Sequence, residues 1–178
     1  LQGCRECCGG MGFLAANKIG PMLNDMNVDV TFEGDNTVMM QQMAKPLIDA
    51  AAKKMAKNIG RGGAVPAVPS VNAADLGQGC VSKLLLWRQQ SIAAEIGSQM
   101  MAGADARSAA AVFEQSLDRV ITLGWSAVDS VTYEDFVDEI ASAPARIQPL
   151  LRKVALLYGL CRVEAGLTCY LASGALSG

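Results

Sequence analysis

Apolar residues recur every three or four positions over most of this chain, and no alternating apolar–polar run of useful length occurs. The pattern predicts helix packed on helix. Residues 1–8 read as the last turns of a helix, stopped by Gly9-Gly10-Met11-Gly12. A short helix is predicted from Phe13 to Lys18, ended by Ile19-Gly20-Pro21, and Asn24-Asp25-Met26-Asn27 reads as a turn. It leads into Val28-Asp29-Val30-Thr31-Phe32-Glu33-Gly34-Asp35-Asn36. Asp35, Asn36 and Thr37 are all good N-cap residues, and a helix is predicted behind them from about Thr37 to Ile59. Leu47, Ile48, Ala51 and Met55 form its apolar side, Lys45, Asp49, Lys53, Lys54 and Lys57 its wet side, and Pro46 is expected to kink or restart it.

Gly60 to Asn72 holds two prolines and three glycines and reads as a linker of mobile or extended chain. Beyond it, Leu76 to Met101 reads as a helix with Leu84, Leu85, Trp87, Ile92 and Ile96 inside and Gly103 as its C′ residue. A second runs from about Ala106 through Val112, Phe113, Leu117, Val120, Ile121 and Leu123. Ser130 to Glu134 is expected to break it and re-cap a short helix from Tyr133 to Ala141. The last helix is predicted from near Pro144 to Tyr170, with Ile147, Leu150, Leu151, Val154, Leu157, Cys161 and Leu167 as its buried stripe. No internal repeat is visible. The expected organisation is a helical region over 1–59, a linker over 60–72 and a second helical region over 73–178.

Composition narrows the picture. A net charge of −2 over 178 residues, with a pI near 5.1, gives no reason to expect nucleic acid or an anionic membrane as partner. Few aromatics and abundant alanine and glycine suit close-packed helices better than a β-sandwich. The mean hydropathy of +0.25 is high and predicts that part of the surface is covered. The longest uncharged run, Ala165 to Gly178, is too short and too rich in glycine and serine to span a membrane. The first residues carry neither an initiator methionine nor the apolar segment of a signal peptide, so the chain reads as a fragment.

With no histidine present, Ser-His-Asp and Cys-His catalysis and histidine-containing zinc sites are excluded within these residues. Acid–base chemistry then falls to carboxylates, lysine, tyrosine or cysteine. Glu33 is the candidate base: it stands between Phe32 and Gly34, just ahead of a helix N-terminus. Position alone equally fits an exposed acid stabilised by the helix dipole. Gly9, Gly10 and Gly12 form either a helix stop or a cradle whose amides approach a ligand. Cys4 and Cys7 have a C-x-x-C spacing without a second close pair, and Cys161 and Cys169 sit in an apolar helix. The six cysteines are read as structural thiols in a reducing compartment, with no metal site.

Two blocks are more specific than generic helix ends. Arg5-Glu6-Cys7-Cys8-Gly9-Gly10-Met11-Gly12-Phe13 with Asn17-Lys18-Ile19-Gly20-Pro21, and Thr31-Phe32-Glu33-Gly34-Asp35-Asn36-Thr37-Val38, together resemble the flavin-dependent acyl-CoA oxidases. The acyl-CoA dehydrogenases share a looser version. Leu156 to Glu164 and Gly174-Ala175-Leu176-Ser177 look like the last helical domain of the oxidases. The resemblance implies an all-α, helical-bundle carboxy-terminal region, with residues 1–59 ending the first carboxy-terminal helical domain and 73–178 forming a truncated second. It implies FAD as cofactor, fatty acyl-CoA and oxygen as substrates, a homodimer and a peroxisomal location. It maps the general base onto Glu33, and flavin-nucleotide contacts, often to the partner subunit's flavin, onto Gly9, Gly10 and Gly12. Gly34, Asp35 and Asn36 become further cofactor or substrate contacts.

The implied chemistry needs these residue types. Desaturating an acyl thioester takes a base at the α-carbon and a hydride acceptor at the β-carbon. A glutamate has a pKa of about 4.3 in water and is a weak base. Beside Phe32, and under an acyl chain and a flavin ring, it is desolvated and its basicity rises. The resemblance leaves two alternatives: a dehydrogenase passing electrons to another flavoprotein, and a helical interaction module without catalysis. The helical region beyond the linker favours the oxidase.

Overall fold

The computed structural model describes residues 2–32, 34–57, 66–103 and 106–177. They form eight α-helices joined by short 3-10 turns, with one two-stranded ladder, so the all-α expectation holds. By internal contacts the chain divides into Leu1–Met39 and Met40–Gly178. The division falls within a helix; residues 58 and 59 at the end of the expected helix and residues 60–65 of the expected linker lie outside the described residues.

In the first unit, α1 (Gln2–Cys7) is followed by 3-10 turns at Gly9–Phe13 and Ala15–Asn17, then by α2 (Ile19–Phe32). This corrects the expected stop at Ile19-Gly20-Pro21 and the expected turn at residues 24–27. Pro21 falls in the first turn of α2, where its missing N–H has no partner to lose. The Asn17 side chain accepts the Ile19 N–H at 2.9 Å and starts the helix. Val28 and Val30 are only weak helix disfavourers, and nothing after Pro21 breaks the run before Phe32.

The helix α3 (Asn36–Lys57) runs unbroken through Pro46, and Met40, Ala44 and Ile48 are its buried residues. In the second unit, Val71–Asn72 (β1) pairs in parallel with Leu176–Ser177 (β2), the only ladder among the described residues. Between them lie α4 (Gln78–Ala102), α5 (Ala106–Gln115), α6 (Leu117–Glu139), α7 (Gln148–Ala165) and α8 (Leu167–Ser173). Gly103 does end α4, but with extended backbone rather than a left-handed turn. The expected break at Ser130–Glu134 is absent: α6 is continuous through it, because Ser130 and Tyr133 point into the core and tertiary burial outweighs local propensity. The Tyr133 hydroxyl donates to the Gln78 carbonyl at 3.3 Å. The break comes earlier, at Ser116.

The last helix differs most. It divides at Gly166 into α7 and α8, bent by 70°. Its buried face is Ala155, Gly159 and Val163, continued by Tyr170 in α8. The expected stripe is turned outward: Leu150 and Leu157 are each 63% exposed, and Cys161 is exposed. Close approach explains the choice of face. A Cβ on Gly159 would lie 2.5 Å from both Tyr133 Cε2 and Val81 Cγ1, so only a residue without a side chain lets α7 reach α4 and α6. Gly124 serves similarly where α6 meets the Met40 backbone of α3, at 2.8 Å.

Two buried clusters result. One gathers Val81, Leu84, Leu85, Trp87, Tyr133, Val163, Tyr170 and Leu176; the other gathers Ala44, Ile48, Ile92, Ile96, Val120 and Leu123. Among the described residues no single helix is long and apolar enough to cross a membrane.

Candidate functional site

All the sequence-derived site residues fall in the first unit, at the two ends of α2. At its start, α1 ends in the glycine turn. Gly9 has φ +54°, a left-handed conformation that glycine adopts without steric cost. A Cβ on Gly10 would meet nothing within 4 Å, so this backbone is open to approach. Gly12 is different: it is buried, and a Cβ there would lie 2.3 Å from the Arg5 carbonyl. Its need for glycine comes from packing within the turn. The Arg5 guanidinium stacks 4.7 Å from the Phe13 ring centroid, which ties α1 to the turn.

Asn17 belongs to one of the two specific sequence blocks, which give it no role of its own, and it organises this end. Its Nδ2 donates to the Met11 carbonyl at 2.6 Å while its Oδ1 accepts from Ile19. One side chain thus joins the glycine turn to the α2 N-terminus. The available signal was an amide residue just before Lys18, which takes φ +61° as the chain reverses into the helix.

At the other end of α2, Glu33 lies outside the described residues. Its neighbours are defined. Phe32 closes α2 with its ring 77% exposed, and Gly34 has φ +115°, which a side chain rarely tolerates. Asp35 is the N-cap of α3. Its Oδ1 accepts the Thr37 N–H at 2.8 Å, and its carbonyl accepts from Val38 and Met39 at 3.0 Å each. The hydrogen bonds from Thr37 hold the Asp35 carboxyl below its ordinary pKa of 3.8. Of the three expected cap residues, Asp35 therefore has the role, and Asn36 and Thr37 are the first helical positions.

The glycine turn and Phe32 lie at opposite ends of α2. Asn17 fixes the turn at Ile19, and α2 runs for fourteen residues from Ile19 to Phe32. At 1.5 Å per residue that is about 20 Å. Among the described residues no group of three histidine, cysteine or carboxylate side chains could hold a metal ion. Cys4, Cys7 and Cys8 are all free and exposed.

Comparison with known proteins gives a consistent answer. Residues 1–48 match the family described as "Acyl-CoA oxidase, C-alpha1 domain". The chain is 30% identical over 174 residues to the acyl-coenzyme A oxidase-like protein of Mus musculus, covering 89% of this chain and 28% of that protein. It is 48% identical over 54 residues to acyl-coenzyme A oxidase 2, peroxisomal, of Arabidopsis thaliana, covering 30% of this chain and 8% of the relative. The solved acyl-coA oxidase3 of Yarrowia lipolytica superposes with a TM-score of 0.73 at 21% identity, over 98% of this chain and 26% of that one. Arabidopsis thaliana acyl-CoA oxidase 1 gives 0.70 at 18% identity, over 98% and 28%. The matches therefore span little more than a quarter of these relatives' length at most, and 8% for the Arabidopsis acyl-coenzyme A oxidase 2. In sequence and in fold it is similar to the carboxy-terminal part of acyl-CoA oxidases.

Proposed function

We propose that this chain is the carboxy-terminal part of an FAD-dependent acyl-CoA oxidase that desaturates fatty acyl-CoA to trans-2-enoyl-CoA in peroxisomal fatty acid β-oxidation. The observation that carries the reading is the Phe32-Glu33-Gly34-Asp35-Asn36 motif, which lies within the segment that matches the C-alpha1 family and ends in Gly34 at φ +115° and the Asp35 cap. Peroxisomal names among the relatives support the location. In this reading Glu33 takes the α-proton. The exposed Phe32 ring offers an apolar wall against which an acyl chain removes water from the carboxylate and raises its basicity. Asp35 stays ionised as the α3 cap, since the hydrogen bonds from Thr37 hold its pKa down.

The open backbone at Gly9 and Gly10 fits a role in contacting the flavin nucleotide; the crowded Cβ position of Gly12 gives that residue a supporting part in the turn. FAD, where bound, supplies the hydride acceptor and the route for electrons to oxygen, giving hydrogen peroxide. The span of about 20 Å along α2 favours a homodimer in which the glycine turn and Glu33 of one chain serve different cofactor regions. The chain on its own is expected to be inactive, since the family's other flavin and acyl-CoA contacts lie in parts of those proteins that it does not span.

The test uses the purified protein carrying these residues, assayed under air with acyl-CoA and no added electron acceptor. Flavin absorbance and steady hydrogen peroxide production are expected. Glu33→Gln should keep the flavin spectrum and lose activity by about 10²-fold or more. Near-normal turnover in that variant refutes Glu33 as base, and turnover only with an added electron-transfer flavoprotein makes the protein a dehydrogenase.

A further inference from the structure

A polar cluster lies in the second unit, where α4, α6, α7 and α8 meet. Arg88 from α4 and Arg162 from α7 both act on one carboxylate, Asp129 of α6. The Arg162–Asp129 contact is long, 3.9 Å, with the arginine side chain 41% exposed and the aspartate 16%. Arg162 also stands 5.7 Å from the centroid of the Tyr158 ring. Arg88 lies against the bend between α7 and α8: a Cβ on Gly166 would be 3.0 Å from its Nη1 and 3.0 Å from Tyr170 Cε2.

Two features go beyond ordinary pairing. Two guanidiniums lie in the field of one carboxylate, of which only Arg162 comes within ion-pair distance, and this leaves a surplus positive charge in a half-buried setting where screening by water is weak. Donors are also in surplus. Arg88 Nε and Arg162 Nε are buried and make no hydrogen bond, and the hydroxyl of the fully buried Tyr170 lies beside the Arg88 guanidinium. Burial pushes the Tyr170 hydroxyl up to about 12 even with the Arg88 guanidinium alongside, so it stays a donor. Each unmet donor of this kind costs free energy, and an arginine fork matches the paired oxygens of a carboxylate or phosphate.

We propose that the junction built by Arg88, Asp129, Tyr158, Arg162 and Tyr170 is an oxyanion-binding site that takes a carboxylate or phosphate group, entering from the exposed side of Arg162. The anion balances the second guanidinium. The proposal does not depend on the catalytic reading, because every residue in it lies outside Leu1–Met39.

The 178-residue chain carries its own reporter. Trp87 packs on Tyr170 with ring centroids 6.1 Å apart, and Trp125→Phe removes the only other tryptophan. In that background Trp87 fluorescence is titrated separately with inorganic phosphate and with acetate, against chloride at matched ionic strength. A saturable change with either ion is expected, and which ion binds tells phosphate from carboxylate recognition. Arg162→Gln should weaken that binding by about tenfold or more. Arg162→Lys keeps the charge but not the fork, so it serves if the Gln variant fails to fold and should still weaken binding several-fold. The proposal is overturned by the absence of a saturable response to both ions, or by an undiminished response in the folded Arg162 variant.

Discussion

The two units of this chain divide labour unequally. Met40–Gly178 holds both buried clusters, whereas in Leu1–Met39 the only buried residue among those described is Gly12. Met11, Phe13, Leu14, Met22, Met26, Val28, Val30, Phe32 and Val38 are all exposed there. The unit bearing the site motif thus has almost no interior of its own, and the unit with the interior bears none of the motif. Burial of apolar surface is the main source of stability, so the second unit is expected to set the unfolding of the chain. The high mean hydropathy reflects in part the uncovered apolar side chains of the first.

That contrast can be broken by substitution. Leu84 is fully buried, and Leu84→Ala should cost about 2–5 kcal/mol in a urea titration; Met26→Ala, on the exposed surface of α2, should change stability by no more than about 0.5 kcal/mol. Equal costs would show that the first unit has a core after all. Gly159→Ala tests the closest approach in the second unit. The added methyl must displace Tyr133 or Val81, and a loss of about 1–3 kcal/mol is expected from the same titration. The smallest effect belongs to Asp35. Its folded pKa lies below 3.8, so its capping contribution is present above that ordinary value and is lost as pH falls through the lower folded value. The Thr37 amide resonance, followed by NMR, should titrate with a midpoint below 3.8; a midpoint above it contradicts the cap.

How much of this was legible in the sequence depended on whether local or distant residues decide the outcome. The helical character, the core positions Leu84, Leu85, Trp87, Ile92 and Ile96, and a cap at residues 35–37 follow from spacing and local chemistry, and the structure shows them. The buried face of the last helix does not. Leu150, Val154 and Leu157 are the more apolar stripe, yet Ala155 and Gly159 face inward because small residues are what let α7 approach Tyr133 and Val81. That selection depends on α4 and α6, which no periodicity within α7 reports. Pro21 misled in the opposite direction: the same residue ends a helix or opens one according to the chain before it, here the Asn17 side chain. For the site, the motif marked the turn, but the separation of its two halves came only from the length of α2.

The short parallel pairing of β1 with β2 has a consequence for the order in which the chain becomes ordered. The Val71 N–H donates to the Ala175 carbonyl at 3.1 Å, and the Ser177 hydroxyl reaches the Val71 carbonyl across 106 positions. During synthesis, Val71 and Asn72 leave the ribosome long before their partners exist. Closing so large a loop is slow, and it seals the cluster containing Val71, Ala175 and Leu176 last. Until residues 175–177 arrive, the newborn helices keep an open apolar seam, a window in which a chaperone or another nascent chain competes for the same surface.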